Sequence, residues 1–180
     1  MAVAADGAIW AAGRELVDGK EINPDHHVIR RFEKTGRMLG SSIARSSLNI
    51  AAQYTHPADY SFLVASRDRI GWYSEPSQQY IEFSSDGAVM NRFSTAEYDA
   101  KRAMHGVALC DDGSLFVSTE MSKPGGVKGW GISTLDRERG VWTFIPKSER
   151  WGMLYGCDGT TLAGRTSASA ITWLEPVKSR

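Results

Sequence analysis

The sequence predicts an all-β fold, a β-propeller of about four blades with four antiparallel strands each and the last blade incomplete. Three observations carry this. Four segments of alternating apolar residues are each broken by a turn containing Asp, a bulky residue follows each turn at a fixed distance, and a second strand–turn–strand segment follows each of the first three.

Aligned on their turns, residues 2–14 (AVAADGAIWAAGR), 63–75 (LVASRDRIGWYSE), 106–120 (GVALCDDGSLFVSTE) and 152–166 (GMLYGCDGTTLAGRT) superimpose Asp6, Asp68, Asp112 and Asp158. Four places on stand Trp10, Trp72, Phe116 and Leu162. Each segment reads as a hairpin. Asp-Gly predicts type I′ turns, whose two central residues both need positive φ. Asp68-Arg69 departs from Asp-Gly and predicts a turn of another type. The bulky residue is expected on one side of the pleat, where successive sheets pack.

The second element recurs at 28–43, 80–94 and 131–146, with polar turns ending in Gly36, Gly87 and Gly140. Phe32 and Phe83 precede their glycines by four residues and Leu135 by five. A fourth copy begins at Ala170 and stops before any turn. The unit of four strands matches a propeller blade better than a β-sandwich with coincident turns. The expected blades are about 1–45, 60–94, 105–147 and 151–176, in a single domain over 1–180. Met1 already lies in an innermost strand, so no spare amino-terminal strand completes the last blade. This points to a piece of a longer propeller or to a half-ring that closes by association, because open edges otherwise invite aggregation.

Composition bounds the function. The chain has 180 residues, 42% of them hydrophobic, enough to bury a real core. Lys plus Arg equals Asp plus Glu at 21 each, so no net field draws it to nucleic acid or to an anionic membrane. No apolar run is long enough for a spanning helix, and the opening MAVAADGAIW lacks the pattern of a secretory signal. The expectation is a soluble chain without a signal peptide, its compartment unassigned. Cys110 and Cys157 are too few for a disulfide framework and lack metal-ligand spacing. Each is expected to fill a small apolar slot, with a thiol nucleophile or a disulfide as the alternatives.

The stretch MHGVALCDDGSLFVSTE (104–120) resembles the recurrent Pro-His-Gly-Ile-Ala…Asp-Gly-x-Leu-Trp-Val pattern of NHL-type propellers, a group that includes virginiamycin B lyase. Residues 5–13 resemble its second half and residues 28–39 the group's outer hairpin. The resemblance covers most of the chain and is specific for fold, which alone does not imply function. In the group's lyases, several blades present a His at the mouth of the innermost strand, near the axis. Here His105 holds that place, Ser61 and Trp151 stand at the aligned positions, and the first blade has no residue there. Met104 replaces the usual Pro and Phe116 the usual Trp. A lone imidazole does not build a metal site, which weakens the lyase reading.

The longer connections are expected at 14–27, 44–60, 95–104 and 119–129, all on one face, where loops on a rigid scaffold carry recognition. They bring Arg14, Glu15, Asp25, His26 and His27, then Tyr54, His56, Asp59 and Tyr60, then Glu120, Lys123, Lys128 and Trp130. Aromatic groups among charges suit a binding surface. Adjacent His26 and His27 point to opposite sides of a strand, so no metal site is assigned to them. Walker, Gly-x-Ser-x-Gly and His-Glu-x-x-His motifs are absent from the sequence.

Two functions from different classes follow. The first is a non-enzymatic binding or scaffold module without a cofactor. It would recognise a protein, peptide or glycan through Arg14, His26, His27, Tyr54, His56, Tyr60, Trp130 and Trp151, with a homodimer that closes the ring as one form of it. The alternative, implied by the resemblance, is a divalent-metal-dependent lyase or hydrolase with His105 near the axis and Glu120 and Arg102 as helpers.

Overall fold

The computed structural model describes residues 1–13, 16–21, 28–44, 46–49, 61–74, 79–94, 104–122, 128–148, 152–167 and 170–174. Four antiparallel sheets with the topology of β-propeller blades make up the fold. Blade 1 contains β1 (Ala2–Val3), β2 (Ile9–Gly13), β5 (Val28–Phe32) and β6 (Ile43–Ala44) in the order β1-β2-β5-β6. Between β2 and β5 in sequence, β3 (Leu16–Val17) and β4 (Lys20–Glu21) form a separate small hairpin. Blade 2 is β7 (Ser61–Ala65), β8 (Ile70–Ser74), β9 (Gln79–Phe83) and β10 (Val89–Ser94). Blade 3 is β11 (Met104–Leu109), β12 (Leu115–Ser122), β13 (Lys128–Asp136) and β14 (Val141–Phe144). Blade 4 has three described strands, β15 (Leu154–Asp158), β16 (Thr161–Ser167) and β17 (Ala170–Leu174), so its pattern does start at Ala170. No α-helix occurs among the described residues; one 3-10 turn spans Ser46–Leu48 and buries Leu48. The chain forms two compact units, Met1–Arg92 with blade 1 and all of blade 2 but the last two residues of β10, and Phe93–Arg180 with blades 3 and 4.

The tight turns are not the type I′ turns that Asp-Gly predicts. In the turn after β1, Gly7 N–H donates to Ala4 O and Ala4 N–H to Ala8 O, and Gly7 has φ 84° while Asp6 is not at positive φ. This is a three-residue loop, a type I turn closed by a left-handed glycine. The same pairs of hydrogen bonds close the turns at Gly36, Gly87 and Gly113. Asp is favoured for a second reason: its carboxylate accepts the N–H two residues on, Asp6 from Ala8 at 2.9 Å and Asp112 from Ser114 at 2.9 Å. A type I′ pair of positive φ values does occur, at Asp18 (51°) and Gly19 (74°), in the β3–β4 hairpin inside a segment read from sequence as a long connection. Asp68-Arg69 has another turn, as expected: Ser66 N–H donates to Arg69 O across a two-residue loop.

Loop length decides where the bulky residues go. Three-residue loops join β1 to β2 and β11 to β12, whereas two-residue loops join β7 to β8 and β15 to β16. One residue of difference reverses which face of the sheet a given position occupies. The aligned bulky residues therefore meet in pairs, rather than all facing one way. Trp10 and Trp72 share one core with Ile29, Ile70, Ile81 and Phe83 in the first unit, and Phe116 and Leu162 share another with Ala108, Ile132 and Leu154 in the second. Trp10 is fully buried, packs against Phe83 at 5.9 Å between ring centroids, and carries the Arg31 guanidinium 5.5 Å from its ring. Arg31 also donates to Ser85 O at 2.8 Å, tying blade 1 to the β9–β10 turn.

Between blades 3 and 4 the approach is closer. A Cβ on Gly106 would lie 2.3 Å from Leu154 O and 2.8 Å from Leu154 N, so only glycine lets the backbone of β15 come against β11 here. Leu154 N–H donates to Ser118 Oγ at 3.2 Å and Asp111 N–H to Gly159 O at 3.1 Å. The two cysteines do not fill separate apolar slots. They form a disulfide that joins β15 to the residue following β11, across 47 residues of sequence. The blades stack at the ends of these two strands, which brings the sulfurs together although nothing in their spacing announces it.

Several exposed carboxylates are held ionised by neighbours. The Arg69 guanidinium, hydrogen-bonded to Asp68, keeps that carboxyl below the ordinary aspartate range, and the Ser84 hydroxyl does the same for Asp86. A depressed folded value contributes stability above the unfolded pKa, and the contribution is lost as pH falls through the folded value. The urea midpoint is therefore expected to hold from about pH 7 to 5 and to fall below about pH 4. In the Asp68→Asn variant the acid loss should shrink by less than about 1 kcal/mol, since the pair is solvent-screened. A midpoint that rises on acidification would contradict this assignment.

Candidate functional site

The described backbone gathers three of the sequence-predicted site residues at one end of blade 3. β11 begins there, β12 ends there and β13 begins there. Met104 pairs with Thr119, and the next pair in register is Gly106 with Ser118, so His105 is an extra residue in β11. It forms a bulge, a device that re-aims a side chain or ends a pairing. On the neighbouring strands Glu120 pairs directly with Trp130, next to the pair of Thr119 with Gly131. His105, Glu120 and Trp130 thus occupy adjacent positions on three consecutive strands.

The strands also run further than the sequence suggests. Residues 119–129 were expected to form a long connection, yet β12 and β13 stay paired out to Ser122 and Lys128. Glu120, Lys128 and Trp130 therefore stand on strand backbone. The alternating run ends visibly at Glu120, while the continued pairing of the polar residues beyond it leaves no apolar signature.

Two hydroxyls lie beside this cluster. Thr119 and Ser133 are fully buried, and their hydroxyl oxygens have no hydrogen-bond partner among the described residues. Ser133 pairs with Val117, two residues before Thr119, so both hydroxyl residues belong to the same face of blade 3, with Gly131 opposite Thr119. A buried hydroxyl left unpaired costs about 1–3 kcal/mol, and a water or an acceptor group reaching it would recover that cost. Ser118, on the other face, is already engaged by Leu154.

The remaining predicted site residues, Arg14, His26, His27, Tyr54, His56, Tyr60, Arg102 and Trp151, lie outside the described residues. Among the described residues no group of three His, Cys, Asp or Glu side chains is placed to hold a metal ion.

A polar cluster that sequence reading missed is centred on Glu82 in β9. Its side chain is fully buried; Tyr80 Oη donates to Oε1 at 3.3 Å and Asn91 Nδ2 to Oε2 at 3.0 Å, with Arg69 Nη1 3.8 Å away. Tyr80 reaches this position by lying over Gly71, where a Cβ would meet its hydroxyl at 2.0 Å. The only sequence signal is a Glu within the apolar run QYIEF, on the face opposite Ile81 and Phe83. With its lone pairs engaged, Glu82 orders blade 2.

No known protein-family profile matches the chain, and no curated protein matches it. Among solved structures it is similar to a streptogramin B lyase, with a TM-score of 0.40 and 8% identity over 95% of this chain and 74% of that one. This likeness is at the level of the fold. The four antiparallel sheets define the fold class of the protein, a β-propeller. No helix among the described residues is long and apolar enough to cross a membrane.

Proposed function

We infer that the chain is a non-enzymatic binding module that seats a peptide segment of a partner protein at the end of blade 3. The observation that carries this reading is the register that brings His105, Glu120 and Trp130 onto three adjacent strands. An imidazole, a carboxylate and an indole together offer hydrogen bonds to peptide groups and an aromatic surface for an apolar side chain, the chemistry of interface hot spots. Rigid strands hold these positions more precisely than loops do.

Panning a display library of random peptides against the intact chain tests this. Enriched peptides should lose affinity by about tenfold or more in the Trp130→Ala variant, as aromatic hot spots do, with the far-UV spectrum unchanged. No enrichment, or enrichment that Trp130→Ala and His105→Ala leave intact, would remove the support for a seat here. Selective retention on a glycan array would replace peptide by glycan. A divalent metal bound stoichiometrically to protein purified without chelators would instead favour the metal-dependent lyase or hydrolase.

The partner proposal extends to a second copy. Ile171 and Trp173 of β17 are 69% and 63% exposed and Tyr155 is 50% exposed, an apolar surface on the blade with three described strands. A homodimer in which each copy covers this blade of the other would bury them. Light scattering should then give about twice the chain mass of 19.8 kDa, and Trp173→Asp should return it to the monomer. A wild-type monomer at high concentration would rule the dimer out.

A further inference from the structure

We propose that the Cys110–Cys157 disulfide is a redox-operated latch that decides whether blade 4 stays docked on blade 3. The covalent link sits where the non-covalent core is thin. In the first unit two tryptophans, a phenylalanine and three isoleucines fill the layer between blades. Between blades 3 and 4, the buried hydrophobic residues that blade 4 contributes among the described residues are Leu154 and Leu162, with Cys157 half-buried beside them. Leu154 N–H donates to Ser118 Oγ and Asp111 N–H to Gly159 O across the same layer. Three described strands, with Ile171 and Trp173 largely exposed, leave blade 4 little burial of its own.

The chemistry is thiol–disulfide exchange with an external dithiol reductant. Its thiolate attacks Cys157 Sγ, because Cys157 is partly exposed and Cys110 is 1% exposed. The S–S bond breaks, a mixed disulfide forms on Cys157, and Cys110 leaves as a thiolate that takes up a proton. The second thiol of the reductant then closes its own disulfide and releases Cys157 as a thiol. Two electrons and two protons pass to the chain, and a disulfide oxidant reverses the process. The latch is closed in an oxidising compartment and opens in a reducing one.

Hydrogen exchange of the intact chain with and without dithiothreitol tests the proposal. The cross-blade amides of Leu154 and Asp111 should exchange on the order of 100-fold faster after reduction, together with the amides of β15 to β17, and should recover on reoxidation. The amides of blades 1 and 2 should keep their oxidised rates. The Cys110→Ala/Cys157→Ala variant should show the fast rates with no response to dithiothreitol; if it does not fold, the wild-type comparison alone decides. Unchanged rates at Leu154 and Asp111, or an equal acceleration in all four blades, would overturn the latch, the second result marking the disulfide as a general stabiliser.

Discussion

Gly106→Ala is expected to destabilise the chain by about 1–3 kcal/mol, a size typical of overpacking a site that cannot relax. The added methyl would meet Leu154 O at 2.3 Å and Leu154 N at 2.8 Å, and both are backbone atoms of the next blade. Neither can swing aside as a flexible side chain would. The strands must separate instead, which stretches the bond from Leu154 N–H to Ser118 Oγ and loosens Leu154 and Leu162 against Ala108 and Phe116. Gly156→Ala is the control, since nothing lies within 4 Å of a Cβ there; it should cost under about 1 kcal/mol. Urea unfolding of the two variants compares them directly. Equal costs would mean that the approach of β15 to β11 is not fixed by Gly106.

The second large effect is expected at Trp10. It is completely buried between blades 1 and 2, against Phe83 and under Arg31. Trp10→Ala should cost about 3–5 kcal/mol, the usual range for deleting a large aromatic side chain from a core. Trp10→Phe should cost much less, under about 2 kcal/mol, because the indole N–H it removes is buried without a hydrogen-bond partner among the described residues. Thermal or urea unfolding distinguishes the two. Comparable losses in both variants would show that the indole N–H is engaged, or that the ring is not packed as described.

The fold was legible because each blade repeats a physical solution to the same problem. Asp6 and Asp112 mark turns whose N–H groups their carboxylates satisfy, and Trp10, Trp72, Phe116 and Leu162 mark the layers between sheets. The third described strand of the last blade was visible in the pattern that begins at Ala170. What the sequence hid depends on details without a compositional signature. An Asp-Gly pair fits a type I′ turn and a type I turn with a left-handed glycine equally well, and one residue of loop length decides which face Trp72 occupies. The disulfide depends on two strands of different blades ending side by side. Glu82 looks like an outward-facing polar residue until its three partners are in place.

The candidate site was legible in part for the same reason. His105 stood out as the histidine of a repeat motif, whereas its place on a bulge, level with Glu120 and Trp130, follows from pairing register alone. Thr119 and Ser133 carried no signal, because buried hydroxyls are common on strands; it is their lack of partners among the described residues that sets them apart.

The most direct measurement is an amide-shift titration of the intact chain with a peptide selected by panning. Shifts concentrated at residues 104–106, 118–122 and 128–133, and lost in Trp130→Ala, are the predicted result. Saturable binding with shifts confined to other blades would contradict a seat at the end of blade 3.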